Sequence, residues 1–105
     1  MPSVDFKRSD RISDLIKQEI SNILLFEVKD PRVTGITVLR VEISSDMKKS
    51  FIFFSSDNSF NDLDSEEIIV GLEKAKGFIR KKLSKNLNLR RTPEIHFKQE
   101  SYLST

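Results

Sequence analysis

EEIIVGLEKAKGFIRKKL, residues 66–83, carries apolar side chains at Ile68, Leu72, Ala75, Ile79 and Leu83. Steps of three and four place all five on one stripe of a helix, the mark of an amphipathic segment packed on a core. Glu66 and Glu67 fall at its start, where the helix dipole favours anions. Asp64 with Glu67 three residues later has the spacing of a capping box, with Asp in place of Ser or Thr. Gly77 interrupts the stripe at a cost of about 1 kcal/mol relative to alanine, so a kink or break is predicted there. Pro93 closes the segment.

Working outward, Ile95 and Phe97 alternate with Glu94, His96 and Lys98, giving a last short strand. Upstream, Phe51, Ile52, Phe53 and Phe54 form a continuous apolar run, as in a strand covered on both faces or central in its sheet. Before it, residues 33–44 are rich in β-branched side chains. Ile36 and Val38 share one phase, and Leu39, Val41 and Ile43 take the other. The switch predicts either burial on both faces or a bulge. The polar stretch from Ser44 to Ser50 reads as the turn of a hairpin. Ile12, Leu15, Ile16, Ile20, Ile23 and Leu24 make a second helical stripe, with Arg11, Asp14, Lys17, Gln18 and Ser21 on the wet side. Ser9 or Asp10 is the expected cap, and Pro31 stops the helix near Phe26. The order is α-β-β-α-(Gly77)-α-β, an α+β domain.

With 105 residues the chain has room for one domain, residues 1–105. It has no cysteine, so disulfides and thiolate metal sites are excluded, as suits a reducing cytoplasm. No apolar run approaches a membrane span, and the N-terminus lacks the apolar stretch of a signal peptide. Catalytic chemistry finds little support. His96 is the only histidine and reads as an ordinary exposed strand residue, since a triad or metal site needs converging partners. Asp62 and Asp64 suit capping and loop polarity better than a divalent cation. The three glycines, Gly35, Gly71 and Gly77, form no phosphate-cradling loop. Neither an enzyme nor a cofactor is expected.

Charge is distributed unevenly. Between Lys74 and Arg91 stand eight basic residues (Lys74, Lys76, Arg80, Lys81, Lys82, Lys85, Arg90, Arg91) and no acid. The whole chain carries a formal +2, so the rest sums to −6 once those eight are set aside. A face that only needs solubility mixes signs in Glu–Lys pairs one turn apart. This one repels itself, and a phosphate backbone relieves such repulsion while releasing its condensed counterions. On a helical wheel Lys74, Lys81 and Lys85 lie opposite Ile79. Lys76 and Arg80 flank them, and Lys82 sits nearer the core edge. The expected RNA contacts are Lys74, Lys76, Arg80, Lys81 and Lys85, with Arg90 and Arg91 beyond them. Lys7, Arg8 and Arg11 extend the patch if the fold brings them near. The phenylalanines are expected mostly in the core, so RNA would bind through a helix edge rather than by stacking on the sheet. The alternative partner is an acidic protein surface, which makes the chain an interaction adaptor. An RNA-processing enzyme acting through Asp62 and Asp64 is a third reading.

Several short pieces, in order, carry a resemblance. They are Arg8-x-x-Arg11, Lys29-Asp30-Pro31-Arg32, Ser45-Asp46 at the hairpin turn, Ala75-Lys76-Gly77-Phe78-Ile79-Arg80, and Leu89-Arg90-x-x-Pro93-Glu94-Ile95-x-Phe97. Together they resemble the bacterial ribosome-binding factor A family. The resemblance implies a type II KH-like fold, with helices packed on one face of a three-stranded mixed sheet and an Ala-x-Gly kink in place of the Gly-x-x-Gly loop, so that Gly77 joins the expected RNA site by setting the angle of the basic half-helix and letting an RNA backbone come close. It also implies a monomeric, cytoplasmic assembly factor without catalytic activity. Such factors bind 16S rRNA in the free 30S subunit, assist its late maturation and processing, and matter most in the cold. This chain departs from the family after Phe97, where Gln99-Glu100-Ser101 replaces an aspartate before a serine.

Overall fold

The computed structural model describes residues 8–56 and 65–100. Helix α1 (Arg8–Asn22) continues into a π-helical turn (Ile23–Glu27), and a 3-10 turn (Pro31–Val33) leads into the sheet. Strands β1 (Ile36–Ile43) and β2 (Lys49–Ser56) form a hairpin. Helix α2 (Ser65–Leu87) then crosses to β3 (Glu94–Gln99). The sheet order is β1-β2-β3, with β1 antiparallel and β3 parallel to the central β2. This is the α+β arrangement expected, two helices on one face of a mixed three-stranded sheet.

Spacing explains which side of α1 turns inward. Ile16, Ile20, Ile23 and Leu24 are buried. Leu15, roughly 100° around the helix from Ile16, stays 48% exposed. The helix starts at Arg8, earlier than the expected cap, so Asp10 sits inside the first turn and acts on the dipole instead. At the other end the Val28 N–H reaches back five residues to the Ile23 carbonyl at 3.0 Å. That wider turn accompanies a change of phase. Ile23 and Leu24 remain in the core, while Leu25 and Phe26 are each 72% exposed. Asp30 then starts the 3-10 turn, its carboxylate accepting the Arg32 N–H at 2.9 Å.

The switch of phase in the first strand is a bulge. Val38 faces Phe54 and Arg40 faces Phe53, so Leu39 is the extra residue. Beyond it Val41 returns to the core side opposite Ile52. The run 51–54 is central in the sheet, but its two faces differ. Ile52 and Phe54 are fully buried under the helices. Phe51 and Phe53 are half-buried on the other face. There the Arg40 guanidinium lies 3.9 Å from the Phe53 ring centre and pairs with Glu42 and Glu100. His96 stacks on Phe51 with centroids 5.4 Å apart. Ser50, buried on the core side, donates its hydroxyl to the Glu94 carbonyl at 2.7 Å.

Helix α2 presents Ile68, Leu72, Ile79 and Leu83 to the core, and Ala75 is half-buried against it. Burying each isoleucine or leucine is worth about 1.5–3 kcal/mol, enough to hold the stripe together on both sides of Gly77. The helix accordingly runs unbroken from Ser65 to Leu87, and the two halves expected on either side of Ala75-Lys76-Gly77 are one helix. It ends where Asn88 adopts φ 51°, a left-handed stop that asparagine tolerates better than most residues. Gly71 allows the close approach of α2 to the 3-10 turn, since a β-carbon there would lie 2.8 Å from the Arg32 Cβ. The capping pair proposed at Asp64 lies outside the described residues.

Candidate RNA interface on helix α2

The core stripe of α2 determines where its cations point. With Ile79 and Leu83 inward, Lys74, Arg80, Lys81 and Lys85 are exposed, while Lys76 and Lys82 are half-buried at the edges. Three of the basic groups have internal partners. Lys76 Nζ is 2.8 Å from Glu73, one turn back, and Lys82 Nζ is 3.0 Å from Glu27 on the π turn. Arg80 donates to the Thr92 carbonyl at 2.8 Å, tying the helix to the segment before β3. Lys74, Lys81, Lys85, Arg90 and Arg91 form no ion pair among the described residues. Lys74 feels the field of Asp30 without closing on it.

Two shallow depressions join Lys81, Lys85, Arg90 and Arg91, whereas Lys74 lies apart from them, beside Lys29 and Asp30. Gly77, Arg80, Lys81, Ser84, Lys85 and Thr92 line the first, and among the described residues no acid lines it. The second shares Arg80 and Thr92 with it and adds Arg90, Arg91 and, from the hairpin turn, Lys48. Asp46 and Glu94 also line this second depression, so its field is mixed. Among the described residues, Lys81 and Lys85 therefore share a depression with no carboxylate. Lys48 was not among the expected contacts, because only the folding of the hairpin turn against the end of α2 brings it there. Arg11 lies elsewhere, beside Asp14 and Lys17 on the outer side of α1. Lys7 is outside the described residues, and the side chain of Arg8 is not described.

Gly77 stands at the rim of the acid-free depression. A β-carbon built on it meets nothing within 4 Å, so packing does not require glycine there. Helix propensity argues against glycine as well. What the missing side chain provides is bare backbone facing outward beside Lys81, where a polyanion can come close.

On the opposite flank of α2, Asp30 and Arg32 lock the 3-10 turn through paired contacts, the shortest 2.6 Å. Hydrogen bonds from Arg32, chiefly from its side chain, pull the Asp30 carboxyl down to about 2. Among the described residues no group of histidines and carboxylates has metal-binding geometry. His96 sits 3.2 Å from Glu94, an interaction confined to the sheet's open face.

A sequence model of ribosome-binding factor A matches residues 8–105. The chain belongs to the ribosome-binding factor A family. Ribosome-binding factor A of Syntrophus aciditrophicus is 47% identical over 91% of this chain and 76% of its own length. That of Pediococcus pentosaceus is 42% identical over 86% and 77%. Among solved structures, a Thermotoga maritima protein determined by NMR superposes with TM-score 0.75 at 27% identity, covering 99% of this chain and 97% of its own. Ribosome-binding factor A of Thermus thermophilus gives 0.76 at 19% identity over 87% and 94%, a likeness of fold. Coordinates of the Thermus factor have also been fitted into a cryo-EM map of a 30S–RbfA complex. The fold described here is thus that of ribosome-binding factor A, and within it the Ala75-Lys76-Gly77 segment is continuous helix.

Proposed function

We propose that this chain is a non-catalytic assembly factor that binds 16S rRNA in the free 30S subunit through the outer face of α2. The observation that carries the reading is the depression where Lys81 and Lys85 stand exposed beside the bare backbone of Gly77, with no acid on its lining and no ion pair to either lysine among the described residues. Family membership supports the subunit as the target, as does the 30S complex of the Thermus relative. Lys74, Lys81, Lys85, Arg90 and Arg91 make the principal phosphate contacts. Lys76 and Arg80, already engaged by Glu73 and Thr92, contribute less.

The factor acts by differential affinity. A ligand shifts an RNA equilibrium only by as much as it prefers one conformer, so tight binding to a late intermediate favours its maturation and processing. RNA structures that are trapped at low temperature make such a preference most valuable in the cold. The protein works as a single monomeric domain in the cytoplasm, without cofactor or small-molecule substrate.

Gradient sedimentation of cell extract tests this. The protein is expected to migrate with free small subunits, and Lys81→Glu/Lys85→Glu to leave that peak while remaining folded. Co-migration that survives the double charge reversal would sink the reading. Association with a fraction that persists after ribonuclease treatment would favour the adaptor alternative.

A further inference from the structure

Phe78 is the aromatic residue of helix α2, and it lies off the stripe of Ile68, Leu72, Ile79 and Leu83 that enters the core. It is 43% exposed, one residue after Gly77. Its neighbours on the helix surface are Lys74 one turn before it and Lys81 and Lys82 one turn after it. The Lys82 ammonium lies 5.7 Å from the ring centre, held there by Glu27. The ring also lines a shallow groove between α2 and the segment that follows the π turn, with Val28 and Ala75 adding apolar surface. Lys29 and Lys74 stand on this groove too, together with the carboxylates of Glu27 and Asp30.

We propose that this groove takes one unpaired RNA base stacked on Phe78, while the phosphates on either side of that nucleotide lie on Lys74 and Lys81. The inference rests on the reading of α2 as an RNA grip and adds a base site to it. Charge selects the occupant. Glu27 and Asp30 are already paired, with Lys82 and Arg32, and on the lining they balance Lys29 and Lys74, so the groove has no net charge and suits a neutral base better than a phosphate. The cations just outside attract the backbone that carries the base. Stacking on an aromatic ring is open to any base, because each has a π-face. The site therefore selects for single-strandedness rather than for sequence. A base held within a duplex cannot reach it without unpairing.

The chain contains no tryptophan, so Phe78→Trp makes a single indole reporter at the site. The probes are an unstructured single-stranded RNA oligonucleotide, the same oligonucleotide with its central bases removed to leave abasic sites, and a blunt RNA duplex. The intact single strand is expected to quench the indole, and the abasic strand and the duplex are not. Phe78→Leu keeps an apolar side chain but loses the stacking face, and should weaken single-strand binding about 5- to 150-fold. Equal quenching by the abasic strand, or full affinity in Phe78→Leu, overturns the base site. So does a Phe78→Leu loss seen with whole subunits but not with RNA, which would assign the groove to a protein. Failure of the grip itself shows separately, as Lys81→Glu/Lys85→Glu that still binds RNA like the parent chain.

Discussion

Replacing Gly77 with alanine separates the demands of the fold from those of the ligand. The position is helical, exposed and sterically open, with nothing within 4 Å of a new β-carbon. In the free protein the exchange removes the entropy cost of glycine and gains about 1 kcal/mol. For a domain of this size that should raise the melting temperature by roughly 4–8 °C. In the complex the same methyl group projects where an RNA backbone is to lie against the helix. Crowding of a well-packed contact costs about 1–3 kcal/mol, equivalent to a loss of about 5- to 150-fold in affinity. Gly77→Ala is therefore expected to melt later by circular dichroism and to bind small subunits more weakly by sedimentation. Two results would refute the reasoning. An earlier melt would mean the helix needs glycine for its own geometry, and unchanged binding by a stabilised variant would mean nothing approaches that backbone.

Gly71 should behave in the opposite way. A β-carbon there meets the Arg32 Cβ at 2.8 Å, so Gly71→Ala is expected to lower stability by about 1–3 kcal/mol in urea unfolding, despite the same gain in helix propensity. Asp30 makes stability depend on pH in the acid range. Its folded value is depressed to about 2 from 3.8, so its contribution is complete above pH 4 and lost as pH falls towards 2. Asp30→Asn should flatten that part of the profile, and a profile identical to the parent's would show that the Arg32 contact contributes nothing. Salt reports the phosphate count. With five contacts, log affinity for RNA should fall with log salt at a slope of about −3.5 to −4.5, and Lys81→Glu/Lys85→Glu should make it shallower by at least about 1.4. A slope near zero for the parent chain would remove the electrostatic basis of binding.

Local chemistry made much of the molecule legible in advance. The change of phase between Val38 and Leu39 marked the bulge that the pairing of Val38 and Arg40 displays. The unbroken run from Phe51 to Phe54 marked the central strand. Its meaning was only half readable, because Arg40 and His96 shield one face from across the sheet, and such contacts leave no periodic signal. At Gly77 the expected break reflected intrinsic propensity, which the core contacts of Ile79 and Leu83 outweigh. The outward lysines followed from the wheel. The contribution of Lys48 and the groove beside Phe78 did not, since each depends on segments far apart in the chain meeting in space.

The two strands that flank α2 in sequence are hydrogen-bonded to each other along their length. The side chains of Ile68, Leu72, Ile79 and Leu83 are buried against that platform, so the lysines on the far side of the helix keep one orientation. On the function proposed above, the protein is then a fixed template, and release is timed by the bound particle, through RNA that withdraws its phosphates or a ligand that displaces the factor.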